Sequence, residues 1–175
     1  MTNAVSLRTL APHDGPALLH FELENRAWFE QHIEARPEPF YAPQGVQAHI
    51  ADLLAQHERS EFHPLLIVGA QGQILGRANL KGIDRQAGCA ELGYRIGQAH
   101  TGQGLASLAV REMVRLARER WGLRTLLAFV SEVNPASARV LEKHGFERAE
   151  LRPGLALVQG REIDCFRFQR ELLPA

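Results

Sequence analysis

From residue 97 to residue 106 the chain reads Gly-Gln-Ala-His-Thr-Gly-Gln-Gly-Leu-Ala, and a helical pattern begins there. Gly102 and Gly104 at such a start suit one kind of chemistry. The first N–H groups of a helix have no partner inside it, and the helix dipole is positive at that end. Glycines let the backbone approach an anion with no Cβ in the way. The junction is therefore a ready site for a pyrophosphate. The same glycines also serve plain turn geometry, so the loop taken alone leaves both readings open.

The loop needs a strand before it and a helix after it, and the pattern supplies both. From Gly88 to Gly97 the apolar Ala90, Leu92, Tyr94 and Ile96 alternate with Cys89, Glu91, Gly93 and Arg95, which is strand spacing. From Gln103 to Trp121 a helix is expected, with Leu105, Ala109, Met113 and Leu116 inward and Arg111, Arg115 and Arg118 toward water. Thr125 to Val130 reads as a strand buried on both faces. Asn134 to Lys143 reads as a short helix stopped at His144-Gly145.

Upstream, Val5 to Leu10 is a first strand, and Asp14 is placed to cap a helix before Pro16. Ala17 to Ala35 reads as one helix ended at Pro37-Glu38-Pro39. Gly45 to Glu58 is a second, with Val46, Ile50, Leu53 and Leu54 on one face. Pro64 to Ala70 and Ile74 to Leu80 pair as antiparallel strands across Gln71-Gly72-Gln73. Downstream, Glu147 to Leu151 with Leu155 to Gln159, then Ile163 to Arg170, complete the order β-α-α-β-β-β-α-β-α-β-β.

A chain of 175 residues fits a single domain spanning 1–175. The formal net charge of zero argues against a general nucleic-acid binder. Cys89 and Cys165 form no CxxC pair, so a reducing cytoplasm is the simplest setting. None of the eight histidines pair at i, i+4, so a helical metal site has no support. The stretch Met1-Thr2-Asn3-Ala4-Val5 lacks the basic and apolar regions of a signal peptide, and no apolar run approaches a membrane span.

Taken with the glycine loop, the run Asn134-Pro135-Ala136-Ser137-Ala138-Arg139-Val140-Leu141-Glu142-Lys143-His144-Gly145-Phe146 resembles the GNAT superfamily of acyl-CoA N-acyltransferases. That family's loop reads Gln/Arg-x-x-Gly-x-Gly/Ala. The matching positions here are Thr101, Gly104 and Ala106, with Thr a departure. The resemblance covers about residues 64 to 170. It is nearest the RimJ/RimL branch, through Glu91-Leu92-Gly93-Tyr94, Asn134-x-x-Ser137, Glu142-Lys143-x-Gly145-Phe146 and Gly160-x-x-x-Asp164.

The resemblance implies an α+β fold of three layers, with a mixed, mostly antiparallel sheet of six to seven strands flanked by helices. It implies acetyl-CoA as co-substrate and no metal. The backbone of Tyr94, Arg95 and Ile96 would pair with the pantetheine arm, in a gap where their strand splays from its neighbour. Thr101, Gly102, Gln103, Gly104, Leu105 and Ala106 would hold the pyrophosphate, and Asn134 would reach the cofactor from the other side. Glu91 is the candidate base, acting through water, against the plainer reading of a sheet-face carboxylate paired with Arg or Lys. Ser137 is the candidate acid, against the plainer reading of a hydroxyl spent on helix capping. Many family members place a Tyr four residues later; Leu141 stands there.

Other residues carry weaker expectations. His100, Arg139 and Lys143 read as solvated side chains more readily than as ligands. Trp28, Phe29, Phe40 and Tyr41 either line the acceptor wall or pack in the core. Glu22, Glu24, Glu30 and Glu34 suggest an acidic acceptor wall or a solvated helix face. The leading function is acetyl transfer to a primary amine, such as a protein amino terminus. The alternatives are a small-molecule acetyltransferase acting on an amino acid, polyamine or antibiotic, and a non-catalytic acyl-CoA-binding module. By the same resemblance a homodimer through the late strands is expected, where Phe166 and Phe168 serve either core or interface.

Overall fold

The computed structural model describes residues 4–174; the reading of Met1 to Asn3 lies outside them. In chain order the elements are β1 (Ser6–Thr9), α1 (Gly15–Glu24), α2 (Arg26–Phe29), α3 (Pro43–Glu58), β2 (Phe62–Val68), β3 (Ile74–Asp84) and β4 (Cys89–Ile96). Then follow α4 (Leu105–Glu119), β5 (Thr125–Ser131), α5 (Pro135–Lys143), β6 (Glu147–Val158) and β7 (Arg161–Glu171). The seven strands make one sheet in the order β1-β2-β3-β4-β5-β7-β6, antiparallel throughout except for β4 with β5. The fold is α+β, as expected.

The apolar pattern builds two layers of core. On one face α4 packs against β3 and β4, and α5 against β5 and β6. Leu105, Ala109, Met113 and Ala117 of α4 meet Leu80, Leu92, Leu126 and Phe168 there, all but Leu105 under 4% exposed. Phe168 is thus core, while Phe166 lies half-buried beneath Arg148. On the other face α1 and α3 cover β3 and β2, and Leu18, Phe21, Val46 and Ile50 meet Leu66, Val68 and Ile74. That cover stops before β5. Leu126, Ala128 and Val130 are accordingly buried while Leu127, Phe129 and Ser131 are only half so, which corrects the expectation of a strand buried on both faces.

The helix expected from Ala17 to Ala35 breaks at Asn25. The buried Asn25 donates its amide to the Phe21 carbonyl at 2.9 Å and accepts from the Gln98 backbone N–H at 2.8 Å. Asp14 stands at the cap position of α1, but its carboxylate is taken by Arg8 at 2.6 and 2.8 Å and by the Ala11 N–H at 2.8 Å. Those partners hold the carboxyl below its ordinary pKa, Arg8 foremost.

Candidate active site

Strands β4 and β5 are paired only at Cys89 with Thr125, Ala90 with Leu126 and Glu91 with Leu127. Beyond Glu91 they part. Tyr94, Arg95 and Ile96 still pair with Ala78, Arg77 and Gly76 of β3, so their opposite backbone edge faces the fork. Unpaired strand N–H and C=O groups are strong sites for an extended partner. This is the gap in which the pantetheine arm is expected.

The glycine loop closes one end of the fork. Gly102 and Gly104 have φ of +72° and +77°, a conformation other residues adopt at a cost. A Cβ at either position would meet no protein atom, so the space above them is open to a ligand. Gly104 is the N-cap of the 15-residue α4, makes no side-chain cap, and leaves the helix's first N–H groups without a partner inside the helix. A cavity of about 340 Å³ lies over this loop. Every cofactor residue expected from sequence lines it except Gln103, whose amide instead donates to the Ala99 carbonyl at 3.2 Å. Trp28, Phe29 and His100 line it as well; Phe40 is buried in the second core layer and Tyr41 lies under Arg26.

At the other side of the fork Asn134 caps α5, its side-chain oxygen accepting from the Ser137 N–H at 3.3 Å. Ser137 is therefore not spent on capping. Its hydroxyl faces the Tyr94 phenol at 2.6 Å, a bond in which either oxygen can donate. Burial raises the phenol above its ordinary pKa, with the Ser137 bond working against that, so the phenol carries its proton at neutral pH. Leu141, at the position where the resemblance leads one to expect a Tyr, is buried. Tyr94 thus brings a phenol to Ser137 from another element. The sequence signal was the rarity of tyrosine, since only Tyr41 and Tyr94 exist to supply one.

A second cavity, of about 430 Å³, adjoins the first. The two share His32, Ile33, Tyr94, Arg95, Asn134 and Ser137, so the Tyr94–Ser137 pair stands at their junction. Glu91 lines the second cavity and is held by Lys81 at 2.8 Å, its partner in the β3–β4 register. The ion pair is real, as the plainer reading expected, and the carboxylate remains partly exposed at the fork.

The floor of this cavity is a polar ladder. Arg77, Asn79 and Lys81 of β3 lie opposite Arg95, Gly93 and Glu91 of β4. Behind it Glu22 is 1% exposed and reaches Arg77 at 2.5 Å, Arg95 at 3.4 Å and Arg36 at 3.8 Å. Burial raises the Glu22 pKa, but the three guanidiniums together hold it below the ordinary value. This corrects the expected acidic wall. Glu22 is neutralised, Glu30 is bound to Arg26 at 3.0 Å, and Glu24 and Glu34 are exposed. Sequence reasoning missed the arginines, although Arg77 and Lys81 alternate with Ala78 and Leu80 in plain strand spacing.

Residues 5–147 match the family model described as an acetyltransferase (GNAT) domain. The probable N-acetyltransferase YjcK of Bacillus subtilis is 32% identical over 146 residues, covering 82% of this chain and 81% of that protein. The fold superposes on ribosomal-protein-S5-alanine acetyltransferase from Vibrio fischeri with a TM-score of 0.93 at 18% identity, covering 98% and 95% of the two chains. It superposes on spermidine N-acetyltransferase from Vibrio cholerae, solved with CoA and spermine, with a TM-score of 0.82 at 19% identity, covering 96% and 95%.

Proposed function

From the premise that the chain belongs to the GNAT acetyltransferase family, we propose that it binds acetyl-CoA along the β4–β5 fork and passes the acetyl group to a primary amine in the adjoining cavity. The observation that carries this is the junction itself. The glycine loop opens one cavity, the charged ladder floors the other, and Tyr94 and Ser137 stand between them.

When bound, acetyl-CoA supplies an activated thioester. The residues do the rest. N–H groups from Gly102 to Ala106 face the pyrophosphate, and the free edge of Tyr94 to Ile96 aligns the pantetheine arm. Glu91 accepts the proton that the attacking ammonium must lose, directly or through water. The amine nitrogen then bonds the carbonyl carbon and the C–S bond breaks. Ser137 gives its proton to the departing sulfur and regains one from Tyr94. The nitrogen's second proton passes through water to Tyr94 as the amide forms, and Glu91 releases its own to solvent, which leaves a neutral amide, a thiol and the starting side chains.

The acceptor of the Vibrio fischeri protein, a ribosomal protein, and the polyamine of the Vibrio cholerae protein mark two chemically distant options. The two free cysteines fit a cytoplasmic setting, and no described helix is long and apolar enough to cross a membrane. A homodimer through the edge strand β6 is supported by Leu151, Leu155 and Leu157, which are 45%, 52% and 44% exposed. The test is a melting curve with acetyl-CoA, CoA and ATP, followed by amine-dependent release of free thiol. Ligand at 100 times its Kd stabilises by about 2.7 kcal/mol, a shift of several degrees. A shift with acetyl-CoA and not ATP, with thiol release on adding amine, is expected. No shift would reduce the loop to a turn.

A further inference from the structure

The acceptor cavity is lined by four cationic side chains, Arg36, Arg77, Lys81 and Arg95, against the single carboxylate of Glu91. The nearby Glu22 is buried behind them and offers two oxygens to three guanidiniums. Each guanidinium carries five N–H donors, so most of these stay uncommitted. The buried Arg36 Nε faces Glu22 at 3.8 Å without a hydrogen bond, and the buried Asn79 Oδ1 on the ladder also has no hydrogen-bond partner among the described residues. His49 adds no negative charge. It accepts from Arg77 at 2.9 Å, and burial, with Arg77 next, lowers its pKa to about 4.

The guanidiniums are fixed in place. Arg36 lies over the Phe40 ring at 4.4 Å and Arg95 over the Phe29 ring at 5.1 Å. They also strain one another. Burial foremost lowers the pKa of both against the pull of Glu22, and repulsion from Arg77 adds to it at each, with Arg36 adding at Arg95, so an anion among them would be stabilised. The cofactor's pyrophosphate is not that anion. Its expected loop lines the other cavity, to which Arg36, Arg77 and Lys81 do not belong.

Building on the acetyl-transfer reading above, we propose that the acceptor is an amine bearing a carboxylate, held by Arg36 and Arg77 while its amino group faces Glu91. A polyamine is the wrong charge for this cavity. The cation count repels a second ammonium, whereas a guanidinium pairs a carboxylate with two parallel hydrogen bonds.

The test compares acceptors, with acetyl-CoA and the full chain, by release of free thiol. The acceptors are an equimolar mixture of protein amino acids, the same mixture as α-carboxamides, spermidine, and a tetra-aspartate peptide with a free amino terminus. The carboxamide amine is the less basic, so chemistry alone favours it. We expect the carboxylates to react at least about tenfold faster than the carboxamides, the scale of one charge-assisted hydrogen bond. Spermidine should be slowest. Arg36→Gln should abolish that ratio through the acceptor's KM while leaving unchanged the melting shift that acetyl-CoA alone gives. A faster peptide keeps the anion and assigns it to an acidic polypeptide end. Carboxamides or spermidine reacting as fast as the carboxylates would overturn the inference and leave acetyl transfer standing. A melting shift with no thiol release from any acceptor would instead remove acetyl transfer, and this inference with it.

Discussion

The Tyr94 hydroxyl and the Ser137 Oγ lie 2.6 Å apart although 43 residues separate them in the chain. If this pair returns a proton to the leaving sulfur, Ser137→Ala should lower kcat by about 10²–10⁴, the usual worth of general acid catalysis. Tyr94→Phe should lower it by less, since water can refill the serine. Both variants should keep the melting shift given by acetyl-CoA. Loss of that shift along with activity would make the pair a structural contact only.

Glu91→Gln separates the base from the ion pair. The bond to Lys81 joins two partly exposed groups and contributes about 0–1 kcal/mol, so the variant should melt near the wild type. Its kcat should nevertheless fall by about 10² or more. Unchanged turnover would leave Glu91 as a sheet-face carboxylate.

Gly104→Ala tests the loop. At φ +77° an added Cβ costs about 1–2 kcal/mol, and here it also projects into the open space where acetyl-CoA is proposed to bind. The melting point should drop by about 2–8 °C. The Kd for acetyl-CoA should rise more than that loss of stability explains. A variant that binds acetyl-CoA normally would remove the loop from the cofactor site.

Acid should loosen the fold through His63. The ring is 2% exposed, accepts from the Trp121 indole at 3.0 Å and meets the Thr9 hydroxyl at 3.1 Å. Burial foremost, then repulsion from His57 and Arg120, lowers its pKa to about 4. The unfolded chain keeps the ordinary value near 6.5 and is protonated first. Stability is therefore unaffected by this group above about pH 6.5 and falls as the pH drops from there toward 4. His63→Gln should flatten part of that slope in melting curves, while His49, lowered to the same value, and His144, also lowered by burial, still contribute to it. An unchanged slope would show that other groups set it.

The parts of the site that were legible in the sequence are those specified by neighbouring residues. Gly102 and Gly104 announce a loop because glycine alone takes positive φ there without strain. The alternation through Ala90, Leu92 and Tyr94 gives the strand before it. What could not be read depends on distant partners. Nothing near Asn25 predicts a helix break, because the break is fixed by the Gln98 N–H. Tyr94 was placed for its backbone alone, since its phenol acquires meaning only when α5 brings Ser137 across the fork. The glutamates of α1 suggested an acidic wall because their neighbours in sequence do not include the arginines of β3 and β4 that neutralise Glu22.

The Asn25–Gln98 bond has a consequence for the order of events. Asn25 ends the helix that carries Glu22, and Gln98 begins the turn that leads into the glycine loop. One hydrogen bond thus ties the helix that carries the arginine cluster's anchor to the turn before the loop proposed to cradle the cofactor. We expect that a ligand ordering the loop restrains the cluster, and that whatever settles on the cluster restrains the loop in return, because coupling between two binding events is reciprocal. The two substrates should assist each other's binding, and cutting this tie with Asn25→Ala should leave them indifferent to one another.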